Sequence, residues 1–223
     1  MELCERGNLE DFLNAIIAEN LRVPERTIWS WASHVISALH HIHGANVIHL
    51  DVKPQNVFLD RNGCLKLGDL GLARDITSSS NTDVVEGDSR YMAPELLNAS
   101  NVTTAVDIFS LGIMLFQISS KYTNLPNTGK IWRELRQDII PDIRNAYSKR
   151  LSELICAMMA SNPSRRPSAK RLLEVDTIAE ALLVSVHFFL FFCLSSILNT
   201  HTYIGTRQLR SDDTDQIMLL ITT

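Results

Sequence analysis

The sequence predicts a mainly α-helical domain carrying one small β-hairpin, followed by a separate apolar segment. Apolar residues recur at helical spacing through several stretches, as between Thr27 and His43. Two short β-prone runs face each other across a single turn, Arg61-Asn62-Gly63. An uncharged run, residues 181–198, lies after the last amphipathic stretch.

Taken along the chain, Ile28, Ala32, Val35, Leu39 and Ile42 form one helical stripe, and Gly44 closes it. Val47-Ile48 then reads as a short strand. Val57-Phe58-Leu59 and Leu65-Lys66-Leu67 flank the turn and read as a hairpin. Residues 77–82 are a polar run with loop composition. Ile108 to Ile118 is apolar on nearly every side, the pattern of a helix buried in mid-domain. Trp132, Leu135 and Ile139 suggest one packing face, and Leu151, Leu154, Ile155, Met158 and Met159 another.

With 223 residues, 45% hydrophobic and 21% charged, the chain can bury a full core, and one main domain is the natural count. A net charge of −4 argues against a nucleic-acid partner, which calls for a basic face. Cys4, Cys64, Cys156 and Cys193 form no C-x-x-C pair, which fits reduced thiols better than disulfides or a zinc site. His40, His41, His43 and His49 crowd together, but the first three sit at a helix end, where imidazoles suit the negative dipole.

The chemistry concentrates in His49-Leu50-Asp51-Val52-Lys53-Pro54-Gln55-Asn56 and, after the hairpin, Asp69-Leu70-Gly71. One short loop thus holds a carboxylate, an ammonium and an amide, with a second carboxylate nearby. Phosphoryl transfer needs positioning and charge neutralisation more than covalent help. Mg²⁺ prefers one or two carboxylates together with phosphate oxygens and water. Asn56 and Asp69 suit the metal, Lys53 the transferring phosphate, and Asp51 the attacking hydroxyl.

These residues resemble the catalytic loop H-R-D-x-K-P-x-N and the metal loop D-F-G of eukaryotic protein kinases. Tyr91-Met92-Ala93-Pro94-Glu95 matches the A-P-E segment, and Asp107-Ile108-Phe109-Ser110-Leu111-Gly112 matches D-x-W-x-x-G with Phe for Trp. Asn162-Pro163-Ser164-Arg165-Arg166-Pro167 matches the late D-P-x-x-R-P. The resemblance implies a kinase C-terminal lobe over residues 1–178, with ATP and Mg²⁺ as cofactors. It makes Asp51 the base, Lys53 a phosphate contact, and Asn56 and Asp69 the metal ligands. It makes Glu2 and Cys4, in a hinge-like opening, the backbone contacts of adenine. It also implies an ion pair between Glu95 and Arg166, an orienting role for His49, and bonds from Asp107 to the catalytic-loop backbone. A Gly-rich phosphate loop, a strand Lys and a helix Glu have no counterpart, so the N-terminal β lobe is absent. The expectation is a reading frame that starts at an internal Met and is inactive alone.

Leu50 in place of the usual Arg, and Asp88 where Ser/Thr kinases usually carry Thr, resemble the Wee/Myt family of cyclin-dependent-kinase-inhibitory kinases. H-L-D-V-K-P and E-G-D-x-R-Y-M-A-P-E-L-L are closest to its membrane-associated tyrosine- and threonine-specific branch, whereas Leu70 is closer to the soluble branch. Leu50 cannot help capture an activation-segment phosphate, so phosphorylation of Thr77, Ser78, Ser79, Ser80 or Thr82 is not the expected on-switch. The implied substrate is the Thr and Tyr of a cyclin-dependent kinase bound to cyclin.

At about 1.5 Å per residue, residues 181–198 span about 27 Å as a helix, just short of a hydrocarbon core of about 30 Å. They are expected to form a transmembrane helix, with a buried terminal helix or translated non-coding sequence as competing readings, and 199–223 as a tail. Arg165, Arg166, Lys170 and Arg171 precede the segment, which favours a lobe facing the cytosol from an internal membrane of the endoplasmic reticulum or Golgi. Without insertion the location would be cytoplasm or nucleus. The sequons at Asn98 and Asn101 read as chance for a cytosolic lobe. The alternative function is a non-catalytic, membrane-tethered binding module for a cyclin-dependent kinase, docking through the face around Trp132.

Overall fold

The computed structural model describes residue 4 and residues 6–77, 87–97, 102–120 and 124–185. Asn8 starts the first helix: its side-chain oxygen accepts the Asp11 N–H at 2.9 Å as the chain enters α1 (Leu9–Ala18). A cap of this kind satisfies an orphan N–H of the first turn and contributes about 1 kcal/mol. Leu9, Leu13 and Ile16 fall at helical spacing and are buried.

Pro24 then fixes the backbone at φ −58° and opens α2 (Glu25–Gly44). The expected stripe is present: Ile28, Ala32, Val35 and Leu39 are buried, and Ile42 packs against the core. Phe12 of α1 meets Trp31 of α2 edge-on, with ring centroids 5.7 Å apart.

Four short strands follow: β1 (Val47–Ile48), β2 (Val57–Leu59), β3 (Leu65–Leu67) and β4 (Arg74–Asp75). β2 and β3 form the expected hairpin, pairing Val57 with Leu67 and Leu59 with Leu65. Its turn is organised from Asp60, whose Oδ1 accepts the N–H groups of Asn62 at 2.8 Å and Cys64 at 2.9 Å. Gly63 supplies the left-handed residue, φ 78°. β1 pairs antiparallel with β4, a ladder that the polar Arg74-Asp75 dipeptide did not announce.

The second half is helical: α3 (Pro94–Leu97), α4 (Ala105–Ser119), α5 (Gly129–Glu134), α6 (Lys149–Met158) and α7 (Ala169–Leu173). α4 is buried on nearly all sides, as its composition implies, with Phe109 and Phe116 fully enclosed. It packs on α2 and α6. Gly112 is the point of closest approach to α6: a Cβ there would stand 2.8 Å from Met159 Cγ and 3.0 Å from Met158 Cβ. The Met159 side chain could shift, but Met158 Cβ, and its backbone carbonyl carbon at 3.3 Å, belong to the last residue of α6. Gly112→Ala is therefore expected to destabilise the lobe by about 1–3 kcal/mol, seen as a lower urea midpoint at unchanged slope.

Two expectations are corrected here. Trp132, Leu135 and Ile139 do not share a helical face. α5 stops at Glu134, and Asp138 adopts φ 60°, so Leu135 turns inward while Ile139 is exposed. The transmembrane helix expected at residues 181–198 is not supported: among the described residues no helix is long and apolar enough to cross a membrane. Residues 176–185 instead form a helix that packs on the lobe. Ile178 is fully buried, Ala181 lies against the core, and the Ser185 hydroxyl is 3.3 Å from that of Ser30 on α2. Residues 186–198 and the tail 199–223 lie outside the described residues.

Candidate active site

The loop after β1 is shaped by one buried carboxylate. Asp107, in the first turn of α4 and fully enclosed, accepts the N–H of His49 at 2.8 Å and of Leu50 at 2.9 Å. It also accepts a hydrogen bond from His43 Nε2 of α2 at 2.8 Å. Leu50 sits at φ 67°, a conformation costing a non-glycine residue about 1–2 kcal/mol. Each hydrogen bond to a carboxylate is worth about 1.5–3 kcal/mol, so Asp107 can hold the strained turn.

His49 links this turn to the metal-loop side. Its Nδ1 accepts the Asp51 N–H at 3.3 Å, and its Nε2 donates to the Gly68 carbonyl at 3.0 Å. That pattern belongs to the tautomer protonated at Nε2. The hairpin closes the same gap: β2 begins after Asn56, β3 ends before Gly68, and the Gly68 N–H donates to the Asn56 carbonyl at 2.9 Å. Asp69 follows at φ 58°, a region that Asp tolerates better than most residues.

Asp51, Lys53 and Asn56 converge. Asp51 Oδ2 lies 2.7 Å from Lys53 Nζ and accepts from Asn56 Nδ2, also at 2.7 Å. The same Nδ2 donates to the Asp51 carbonyl at 2.9 Å. Asn56 is buried, while the Asp51 and Lys53 side chains keep 10% and 20% exposure. Asp51 Oδ1 thus remains open beside a cation. Asn56 Oδ1 and Asp69 Oδ2 remain as oxygen donors, since Asp69 commits Oδ1 to the Gly71 N–H at 3.1 Å. Hard oxygen donors of this kind suit Mg²⁺. Among the described residues no group of three or more His, Cys, Asp or Glu side chains could hold a metal, so a metal here would draw its remaining ligands from phosphate and water. Of the hinge-like residues, Glu2 lies outside the described residues. Cys4 is half-buried, and its carbonyl accepts the Gly7 N–H at 3.3 Å.

Three features escaped the sequence reading. Gln55 donates from Nε2 to Glu10 of α1, tying the catalytic loop to that helix. Asp88 forms a fork with Arg90, Nε to both carboxylate oxygens at 3.0 Å and Nη2 to Oδ2 at 2.5 Å. Burial alone would raise Asp88, but the hydrogen bonds from Arg90, and then the charges of Arg90 and Lys53, hold it below the usual carboxylate range. The spacing Asp88-x-Arg90 was the available signal. Arg136 is the third, a buried guanidinium beside residues 89–92; burial pushes it down to about 10, still charged at neutral pH.

A carboxylate, an ammonium and an amide converge on one loop, and the hairpin brings the Asp69 loop next to it through the Gly68–Asn56 backbone bond. The protein kinase domain model matches residues 1–178, and the chain belongs to the protein kinase family. Among that family it is similar to Wee/Myt-type kinases. It is 41% identical to the membrane-associated tyrosine- and threonine-specific cdc2-inhibitory kinase of Drosophila melanogaster, over 78% of this chain and 32% of that protein. It is 40% identical to a probable protein kinase of Dictyostelium discoideum, over 82% of this chain and 52% of that protein. It is 37% identical to a mitosis inhibitor protein kinase of Schizosaccharomyces pombe, over 69% and 26% respectively. The chain spans about half or less of the length of these relatives.

Proposed function

We propose that this chain carries the catalytic loop of a kinase that transfers the γ-phosphate of ATP to Thr and Tyr of a cyclin-dependent kinase, restraining mitotic entry. The observation that carries the reading is the Asp51–Lys53–Asn56 cluster, held by Asp107 beside the Asp69 loop. The cdc2-inhibitory and mitosis-inhibitor names of its relatives support the choice of substrate.

In this reading Asp51 Oδ1 accepts the hydrogen bond of the incoming hydroxyl and orients it for in-line attack. Lys53, anchored on Asp51 Oδ2, faces the phosphoryl oxygens and offsets their charge. Asn56 Oδ1 and the Asp69 carboxylate would hold Mg²⁺, which would supply neutralisation of the nucleotide's phosphate charge. His49 fixes the Asp51 backbone against Gly68, so the hydroxyl-binding and metal-binding sides keep their spacing.

The test is transfer by the purified full-length protein from ATP to a cyclin-dependent kinase, with the acceptor residues mapped. Phosphate is expected on Thr and Tyr, and Asp69→Asn is expected to move the half-maximal Mg²⁺ concentration upward. Transfer to other proteins but none to a cyclin-dependent kinase would remove the substrate assignment. No transfer to any acceptor would remove the activity itself.

A further inference from the structure

The loop of residues 88–92 turns three carbonyls toward one side chain. Arg136 Nε donates to the Met92 carbonyl at 3.0 Å. Its Nη2 donates to those of Ser89 at 2.8 Å and Arg90 at 3.2 Å. Nη1 donates to the Trp132 carbonyl at 2.9 Å. The guanidinium lies 4.0 Å from the Trp132 ring centroid and 5.8 Å from that of Phe109, and the residue is only 5% exposed. Trp132 adds its own bond, Nε1 to the Ser89 carbonyl at 2.9 Å.

A cation buried against carbonyls, with no carboxylate among the contacts above, is an expensive way to fill space. What a guanidinium offers here is geometry. Its planar set of five donors can satisfy several carbonyls of one loop at fixed angles, which an ammonium on a flexible stem cannot do. The loop so held carries Asp88, and it adjoins the catalytic loop: a Cβ on the preceding Gly87 would stand 3.5 Å from the Leu50 carbonyl. Within it the Tyr91 N–H returns to the Asp88 carbonyl at 3.0 Å. Its far side rests on α4, where Ser110 Oγ donates to the Tyr91 carbonyl at 2.9 Å and the Tyr91 hydroxyl donates to Gln117 at 2.7 Å.

We propose that Arg136, stacked on Trp132, is a positioning residue that sets the 88–92 loop against the Asp51–Lys53 pair, and so governs binding of the protein acceptor rather than of nucleotide. This rests on the kinase reading above. Arg136 is remote from Asn56 and Asp69 in the bonding network, so the nucleotide–metal side keeps its own supports: His49, Gly68 and Asp107.

The test compares full-length wild type with Arg136→Lys, which keeps the charge and loses the fork, and Trp132→Phe, which keeps a ring and loses the N–H. For Arg136→Lys the KM for protein acceptor is expected to rise about ten- to hundredfold, the scale of small misplacements near a reacting centre. The KM for ATP should stay near wild type. Trp132→Phe should give a smaller change in the same direction. Trypsin cleavage after Arg90, in protein without nucleotide, supplies a readout independent of catalysis and should be faster in both variants. Unchanged acceptor KM and unchanged cleavage would overturn the proposal. So would equal losses in both KM values together with a lowered midpoint in both variants, which would make the pair a general structural support. A wild type that moves no phosphate would count against the proposed function, and the cleavage comparison would still decide the role of Arg136.

Discussion

Asp51→Asn is expected to lower kcat about 10²–10⁴-fold in the full-length protein, the usual contribution of a positioned acid–base group. The change is small in shape. An amide oxygen at the position of Oδ2 can still accept from Asn56 Nδ2 and face Lys53 Nζ, each now at 2.7 Å. Nucleotide affinity should therefore hold while the Oδ1 position, which faces the acceptor, becomes an amide NH2 that cannot accept the hydroxyl proton. Single-turnover transfer measured beside nucleotide binding separates the two. A variant as fast as wild type would mean that the loop acts by placement and electrostatics alone.

Glu95→Ala is expected to destabilise the lobe by about 3–5 kcal/mol, the range for stranding one member of a buried ion pair. Arg166 is fully enclosed and meets Glu95 through two parallel bonds, Nη1 at 2.5 Å and Nη2 at 2.8 Å. Its remaining acceptors are the carbonyls of Ala160, Ala105 and Ser161. These carbonyls keep the guanidinium in place but do not neutralise it, and its 4.8 Å approach to the Phe109 ring offsets only part of the loss. Urea unfolding of the single variant should show the full deficit. The double variant Glu95→Leu with Arg166→Met should recover much of it, since no charge is left buried. Equal losses in both would show that shape, not charge, is what the pair supplies.

The parts of the fold legible from sequence were those written in local pattern or in residue order. The α2 stripe, the all-round apolar α4 and the Arg61-Asn62-Gly63 turn each declare themselves within a few residues. The Asp51, Lys53 and Asn56 cluster is legible for the same reason, because the three lie on one short loop. What was not legible depends on distant partners. Arg74-Asp75 has no strand composition and becomes β4 only because the β1 backbone lies alongside it. Arg136 looks like a surface charge after a helix, and only the fold shows the carbonyls converging on it. The segment from Ala181 reads as a span because hydropathy does not register packing; in its described part, residues 181–185, Ala181 lies against the core and Ser185 lies beside Ser30 of α2. α1 carries a readable Leu9, Leu13, Ile16 pattern with an Asn8 cap, a local signal that the sequence reading leaves unused.

The Asp107 carboxylate joins residues 57 to 64 positions apart in sequence, linking α2, the catalytic loop and α4. His49 and Leu50 leave this turn only by breaking hydrogen bonds to a carboxylate inside the core that also holds His43 of α2. The turn bearing Asp51 is therefore expected to open only with the core of the lobe, as slow amide exchange at Leu50 would show. The 88–92 loop draws its bonds from Arg136, Ser110 and Gln117 instead. Opening of the 88–92 loop therefore leaves the Asp107 contacts intact, so that under the proposed function the acceptor side can move while the Asp51 turn keeps its place.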